Sequence, residues 1–149
     1  MKIAIANDHA ALELKNELMA YLNSIGIEYV NFGTDSKDSV DYPVYAYKAA
    51  QAVLNGQCDR GILICGTGIG MSLAANKVKG IRCALCCEPY SAAMAVTHNN
   101  ANMLAMGARV IGAELAKTVV KAYLESDFQG GRHSRRLELI EKIEKGQEI

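Results

Sequence analysis

Cys65 closes the apolar run 61–65 (GILIC) and is followed by glycine at 66, 68 and 70. Glycine reaches backbone angles closed to other residues, so alternate glycines can turn successive amide N–H groups into one concavity. A helix opening in the same turn adds the positive end of its dipole. The hollow formed by Gly66, Thr67, Gly68, Ile69 and Gly70 would accept an anion or the oxyanion of an enediolate. A Cys65 thiolate beside those donors suits nucleophilic attack or proton abstraction next to a carbonyl. Thr67 could steady the sulfur through its hydroxyl. One glycine there would suit a plain turn with an inert cysteine; three at alternate positions favour a functional loop.

Three other clusters carry chemistry. Asp8 and His9 follow the first apolar run; Asp8 alone reads as a helix cap, but His9 beside it suits a ligand contact. His98 and Asn99 open an asparagine-rich turn, where histidine is either a cap at a helix C-terminus or a general acid or base. The segment 130–136 reads GGRHSRR. Cations at a helix start oppose its dipole, which makes sense if an anion is held there. If the last helix already includes residue 132, Arg132 and Arg136 share a face, and two guanidinium groups suit a dianionic phosphate. Otherwise the run is a solvated basic patch. Arg109, after the fifth apolar run, is either a further anion contact or a surface arginine.

These groups need a scaffold, and the apolar pattern supplies one. Strands are expected at 2–6, 27–32, 61–65, 81–87 and within 103–112. Helices are expected from Leu14 to Ile25, from Val44 to Leu54, after the glycine loop to Lys79, from Ser91 to His98, over 113–125 and over about 134–145. Strict alternation of strand and helix predicts a parallel sheet covered on both faces, a Rossmann-like three-layer α/β/α sandwich in one domain spanning 1–149. Ligands in such folds sit beyond the carboxyl ends of the strands, where Asp8, His9 and the Cys65 loop fall.

Composition narrows the function classes. Sixteen Lys and Arg balance sixteen Asp and Glu. A neutral chain has no broad field for nucleic acid or an anionic membrane. No apolar run is long enough to span a membrane, and the first residues lack a signal-peptide core, so a cytoplasmic protein is expected. The five cysteines argue against a disulfide framework. Cys83 and Cys86 have C-x-x-C spacing, but within the apolar run IRCALCC they read as small buried hydrophobes rather than zinc ligands.

The stretch GILICGTGIGMSLAANKVKGIRCALCCEPYSA, together with NDHAA, DYPVYA, HNNANMLAMGARV and FQGGRHSRRLELI, resembles the type B ribose 5-phosphate isomerases. The likeness runs from residue 3 to about 144. It extends to a wider group that includes the allose 6-phosphate and galactose 6-phosphate isomerases. The resemblance implies a five-stranded sheet of order 2-1-3-5-4 and an aldose–ketose isomerase without metal or organic cofactor. It implies Cys65 as the base that moves a proton between C2 and C1, supported by Thr67, with residues 66–70 stabilising the enediolate. It implies His98 as the group that opens the furanose ring. Asp8 and Asn99 fall at sugar-hydroxyl positions, Tyr42 at an aromatic lining position, His9, Arg132 and Arg136 at phosphate positions and Arg109 at a further binding position. Ala74 and Ala75 stand where some members carry a glutamate base, which puts this chain in the cysteine branch. It also implies homodimers, sometimes paired into tetramers, with sites shared between subunits and the last helix packing at the interface. The competing reading is a nucleotide-binding module, with Gly66, Gly68 and Gly70 before a helix and Glu88 ending the next strand. Its fingerprint requires glycine or alanine where Met71 stands.

Overall fold

The computed structural model describes residues 1–149. Five strands form one all-parallel sheet: β1 (Lys2–Asn7), β2 (Glu28–Asn31), β3 (Arg60–Cys65), β4 (Cys83–Leu85) and β5 (Met103–Gly107). Their order is β2-β1-β3-β5-β4. The switch in direction falls between β1 and β3, where Ile5 faces Ile62 and Asn7 faces Ile64. Six α-helices complete the chain: α1 (Leu12–Ser24), α2 (Tyr42–Leu54), α3 (Ile69–Ala75), α4 (Pro89–Thr97), α5 (Ala113–Leu124) and α6 (Arg132–Glu144).

The sheet buries both faces. Ile3, Ile5, Ile62, Ile64, Leu104 and Met106 point to a cluster closed by α1, α4 and α5. Ala4, Ala6, Leu63, Met103 and Ala105 point to the opposite cluster, closed by α2 and α3. Period-two alternation therefore serves two cores rather than one core and solvent. Small residues face α2, whose Ala46, Ala49 and Ala50 are fully buried. Each fully buried aliphatic side chain of β3 contributes about 1.5–3 kcal/mol, so the strand that ends at Cys65 is firmly held.

Several boundaries differ from the sequence expectations, and side-chain hydrogen bonds explain them. The helix after the glycine loop stops at Ala75 rather than Lys79. There the Asn76 side chain takes Cys83 N–H at 2.8 Å and donates to Cys83 C=O at 2.9 Å, as a neighbouring strand would. β4 spans only three residues rather than 81–87. Arg82 turns aside to Asn102, whose Oδ1 accepts the Arg82 N–H at 2.8 Å. The helix expected near Ser91 begins at Pro89, because the Glu88 carboxylate accepts from Tyr90 N and Ser91 N at 2.7 and 2.6 Å. The last helix begins at Arg132, two residues early, because Gly130 (φ 65°) and Gly131 (φ 58°) end the preceding coil abruptly.

Candidate active site

Cys65 is the last residue of β3 and is 5% exposed. β5 holds it in register opposite Gly107, and Ala108 N–H donates to the Cys65 carbonyl at 2.8 Å. The chain then doubles back. Gly68, at φ 80°, aims its N–H at Cys65 Sγ, 3.1 Å away. The amides of Gly66, Thr67 and Gly70 meet no acceptor within the chain. α3 is only seven residues long, so the local amides, more than a macrodipole, carry the positive potential. The steadying contact expected from Thr67 is made by the Gly68 amide instead; Thr67 Oγ1 accepts from Ile69 N–H at 3.3 Å.

Neighbouring loops converge on this turn. Asp8 N–H donates to the Ile64 carbonyl at 3.1 Å, which sets Asp8 and His9 beside the end of β3. Asp8 is buried and its Oδ1 accepts from Ala10 N–H at 2.9 Å, so it is a cap as well as a polar group at the strand tip. His9 accepts Val40 N–H on Nδ1 at 3.3 Å. The Tyr42 ring, at the start of α2, lies over Gly70, where an added Cβ would stand 2.7 Å from Tyr42 Cζ. Arg109 lies across Gly66, its guanidinium Nη1 3.5 Å from the position of a Cβ there. Cys65, Thr67, Asp8, His9, Tyr42, Arg109 and the glycine loop thus share the carboxyl edge of the sheet.

His98 and Asn99 do not join them. α4 runs back from the carboxyl edge, so His98, its C-terminal cap, stands where β5 begins. The turn is fixed by Asn100 at φ 47° and by Arg82, whose Nε donates to the Asn100 carbonyl at 2.9 Å. Arg132 and Arg136, both exposed, lie one turn apart at the start of α6, near the same edge. The link is His133, whose ring stacks on His98 with centroids 4.3 Å apart and planes 10° from parallel. Burial first, then His98, Arg132 and Arg136, depress the basicity of His133. From Gly61 to Cys65 the strand rises about 13 Å, at roughly 3.3 Å per residue. The core fills that distance. Within the chain the sulfur and the histidine–arginine group therefore occupy opposite edges of the sheet.

His133 was not among the residues singled out by type and spacing, although it sits between Arg132 and Arg136 in GGRHSRR. Its signal was modest: a single histidine at a helix start. Cys86 is buried, as its apolar setting predicts, whereas Cys83 is only half-buried. Burial pushes the Cys83 and Cys86 thiols up to about 12 and about 11.

A family model described as ribose/galactose isomerase matches residues 3–140. The chain belongs to the ribose/galactose isomerase family. Its fold, with the five-stranded order 2-1-3-5-4, is that of the family's solved structures. Ribose-5-phosphate isomerase B of Escherichia coli K12 is 51% identical over 143 residues, 96% of each chain. The Clostridium thermocellum ribose-5-phosphate isomerase B structure is also 51% identical, superposes with a TM-score of 0.96 and covers 98% of this chain and 99% of that one. The Mycoplasma genitalium ribose-5-phosphate isomerase B structure, with bound ribulose-5-phosphate, is 40% identical with a TM-score of 0.91, covering 97% and 96%. No helix is long and apolar enough to cross a membrane.

Proposed function

We propose that the chain interconverts ribose 5-phosphate and ribulose 5-phosphate in the cytoplasm, as a step of the pentose phosphate pathway, in a homodimer whose sites each draw on both copies. The observation that carries the chemistry is Cys65 Sγ held by the Gly68 amide, beside backbone donors with no acceptor of their own. In the forward direction the Cys65 thiolate removes the proton from C2 of the open-chain aldose. The electron pair moves toward C1 and the aldehyde oxygen gains charge, giving an enediolate. Amides of the 66–70 loop stabilise that charge. Cys65 returns the proton to C1 while the C2 hydroxyl proton passes to the C1 oxygen, leaving a C2 ketone and a C1 hydroxyl, so atoms and electrons balance without an outside oxidant. No metal or organic cofactor enters the scheme.

The division between sheet edges supports the shared site. Ring opening by His98, sugar contact by Asn99 and phosphate binding by Arg132 and Arg136 reach the sulfur only from a second copy. A two-fold axis that places one chain's carboxyl edge against the other's His98–Arg136 group makes two equal sites. Asp8 and Tyr42 would line the sugar, and His9 and Arg109 would join the arginines on the phosphate. The exposed apolar side chains Ile69, Leu73 and Leu85, and Ile140 and Ile143 on α6, give such an interface surface to bury. Pairing of dimers into tetramers is a further step of the same kind.

Two measurements test the proposal. Turnover of ribose 5-phosphate in D2O, followed by proton NMR, should place deuterium at the exchanged carbon, with kcat/KM above that for allose 6-phosphate and galactose 6-phosphate; no turnover of any of the three would refute it. Separately, Cys65→Ala and His98→Ala should each be inactive, yet mixing and reassembling them should restore about a quarter of wild-type activity, because half the dimers carry one intact site. A mixture as inactive as its parts would refute the shared site.

A further inference from the structure

The Lys15 side chain is fully buried, yet the mechanism above does not use it. Removing an ammonium group from water is costly unless its donors are matched, so a buried lysine holds something in place. Lys15, on the inner face of α1, reaches the segment after β2. Its Nζ donates to the Thr34 carbonyl at 2.8 Å and pairs with the Asp35 carboxylate, which is otherwise exposed. The neutral oxygen and the anion together match the charge and leave the segment's root fixed.

From that root the chain runs through short local turns. Ser36 N–H donates to Thr34 Oγ1 at 3.1 Å and Asp38 N–H to Ser36 Oγ at 3.0 Å. It then delivers Val40 N–H to His9 Nδ1. That contact decides what His9 can offer. An Nδ1 that accepts a backbone N–H carries no proton, so the neutral ring has its proton on Nε2, a donor left for a partner outside this segment. An oxygen of an anionic substrate group is the partner such a donor suits. Asn31 strengthens the same root by donating to Asp35 at 3.1 Å and accepting from Gly33 N–H at 2.9 Å.

We propose that Lys15 is a positioning residue for substrate binding: by pinning Thr34 and Asp35 it sets the 33–41 segment so that Val40 holds His9 with its Nε2–H facing the substrate's phosphate. This rests on His9 meeting the sugar phosphate, as in the function proposed above. Lys15 itself touches no substrate, and its loss acts on binding rather than on the proton transfer.

The test uses the full-length protein and two variants, with Asp35→Asn as a third if the first does not fold. Lys15→Met keeps the stem and removes the ammonium. Val40→Pro leaves Lys15 in place and deletes the one N–H that reaches His9. Without substrate, the expected result for Lys15→Met is at least about tenfold faster exchange of the Val40 amide and a shifted His9 Nδ1 signal in 15N NMR. With ribose 5-phosphate, both variants should raise KM about five- to tenfold and leave kcat within about threefold. If Lys15→Met does not fold, Val40→Pro decides the substrate half through KM, and Asp35→Asn decides the anchoring half through Val40 exchange. Unchanged exchange and an unchanged His9 signal would overturn the proposal, as would an altered His9 signal with an unchanged KM. A wild-type protein without isomerase activity would instead sink the function, while the NMR measurement would still decide whether Lys15 sets His9.

Discussion

Adding one methyl group at each glycine of the 66–70 loop should produce three different outcomes, because each meets a different obstacle. At Gly68 the backbone has φ 80°, and the new Cβ would stand 2.5 Å from Leu85 Cδ1 and 2.8 Å from the Met106 carbonyl carbon. The left-handed conformation costs a non-glycine residue about 1–2 kcal/mol. Leu85 is exposed and can turn away, but the Met106 contact is backbone of β5, an interior and fully buried strand. Forcing it aside adds about 1–3 kcal/mol. Gly68→Ala should therefore lose about 2–5 kcal/mol, which for a chain of this length lowers Tm by roughly 6–15 °C. The same shift moves the N–H that addresses Cys65 Sγ, so kcat should fall at least about tenfold. At Gly66 the Cβ would meet only the flexible Arg109 at 3.5 Å or beyond, so Gly66→Ala should leave Tm within about 3 °C of wild type. At Gly70 the obstacle is the partly exposed Tyr42 ring, which can swing out at little cost in stability. Gly70→Ala should keep its Tm within about 4 °C while raising KM, because a lining side chain has left its place. Thermal melts by circular dichroism and steady-state kinetics on the three proteins decide the matter. Gly68→Ala melting within about 2 °C of wild type, or Gly66→Ala melting as low as Gly68→Ala, would refute the reasoning.

Cys65→Ala should lower kcat by about 10²–10⁴-fold while inorganic phosphate still protects against heat; appreciable turnover would remove the sulfur from the mechanism. Arg136→Ala should raise KM for ribose 5-phosphate more than it lowers kcat, since a phosphate contact gives largely uniform binding, and an unchanged KM would contradict that role. Native His133 titrates below the unfolded value of about 6.5, so the unfolded chain takes up its proton first. Stability is therefore complete above about pH 6.5 and should fall as pH drops through the depressed native value, a slope that chemical denaturation of His133→Asn should flatten. Arg82→Met should loosen the His98–Asn99 turn, seen as faster amide exchange at Asn99 and Asn100 and a lowered kcat with cyclic substrate, because the Arg82 Nε bond to Asn100 is lost.

Alternation of apolar runs and helical stretches was enough to define the layers, because a parallel sheet buried on both sides leaves nearly unbroken apolar strands such as 61–65. Sheet order came from resemblance, since hydrophobic period does not say which strands are neighbours. The ends of α3 and β4 were illegible for a tertiary reason: Asn76 leaves the helix to pair with Cys83, and no local pattern announces a contact made by a side chain across a loop. The start of α6 was more accessible, because two consecutive glycines already mark where a chain can change direction. The placement of site residues could also be read from connectivity. A helix that returns from β4 to β5 must finish where β5 begins, so His98 had to lie at the edge away from Cys65 in its own chain. What sequence could not supply was the stacking of His133 on His98, which depends on where the chain after α5 happens to land.

The arrangement around Asn76 has a consequence for self-recognition. An outermost strand with vacant amides and carbonyls invites a stranger's backbone, and chains that extend one another's sheets in this way grow into ribbons without a natural stopping point. Here the three-residue margin has its first residue already occupied by an amide side chain from its own molecule. Along the β4 edge, too little free backbone is left to seed such growth, and the chain's other margin is β2.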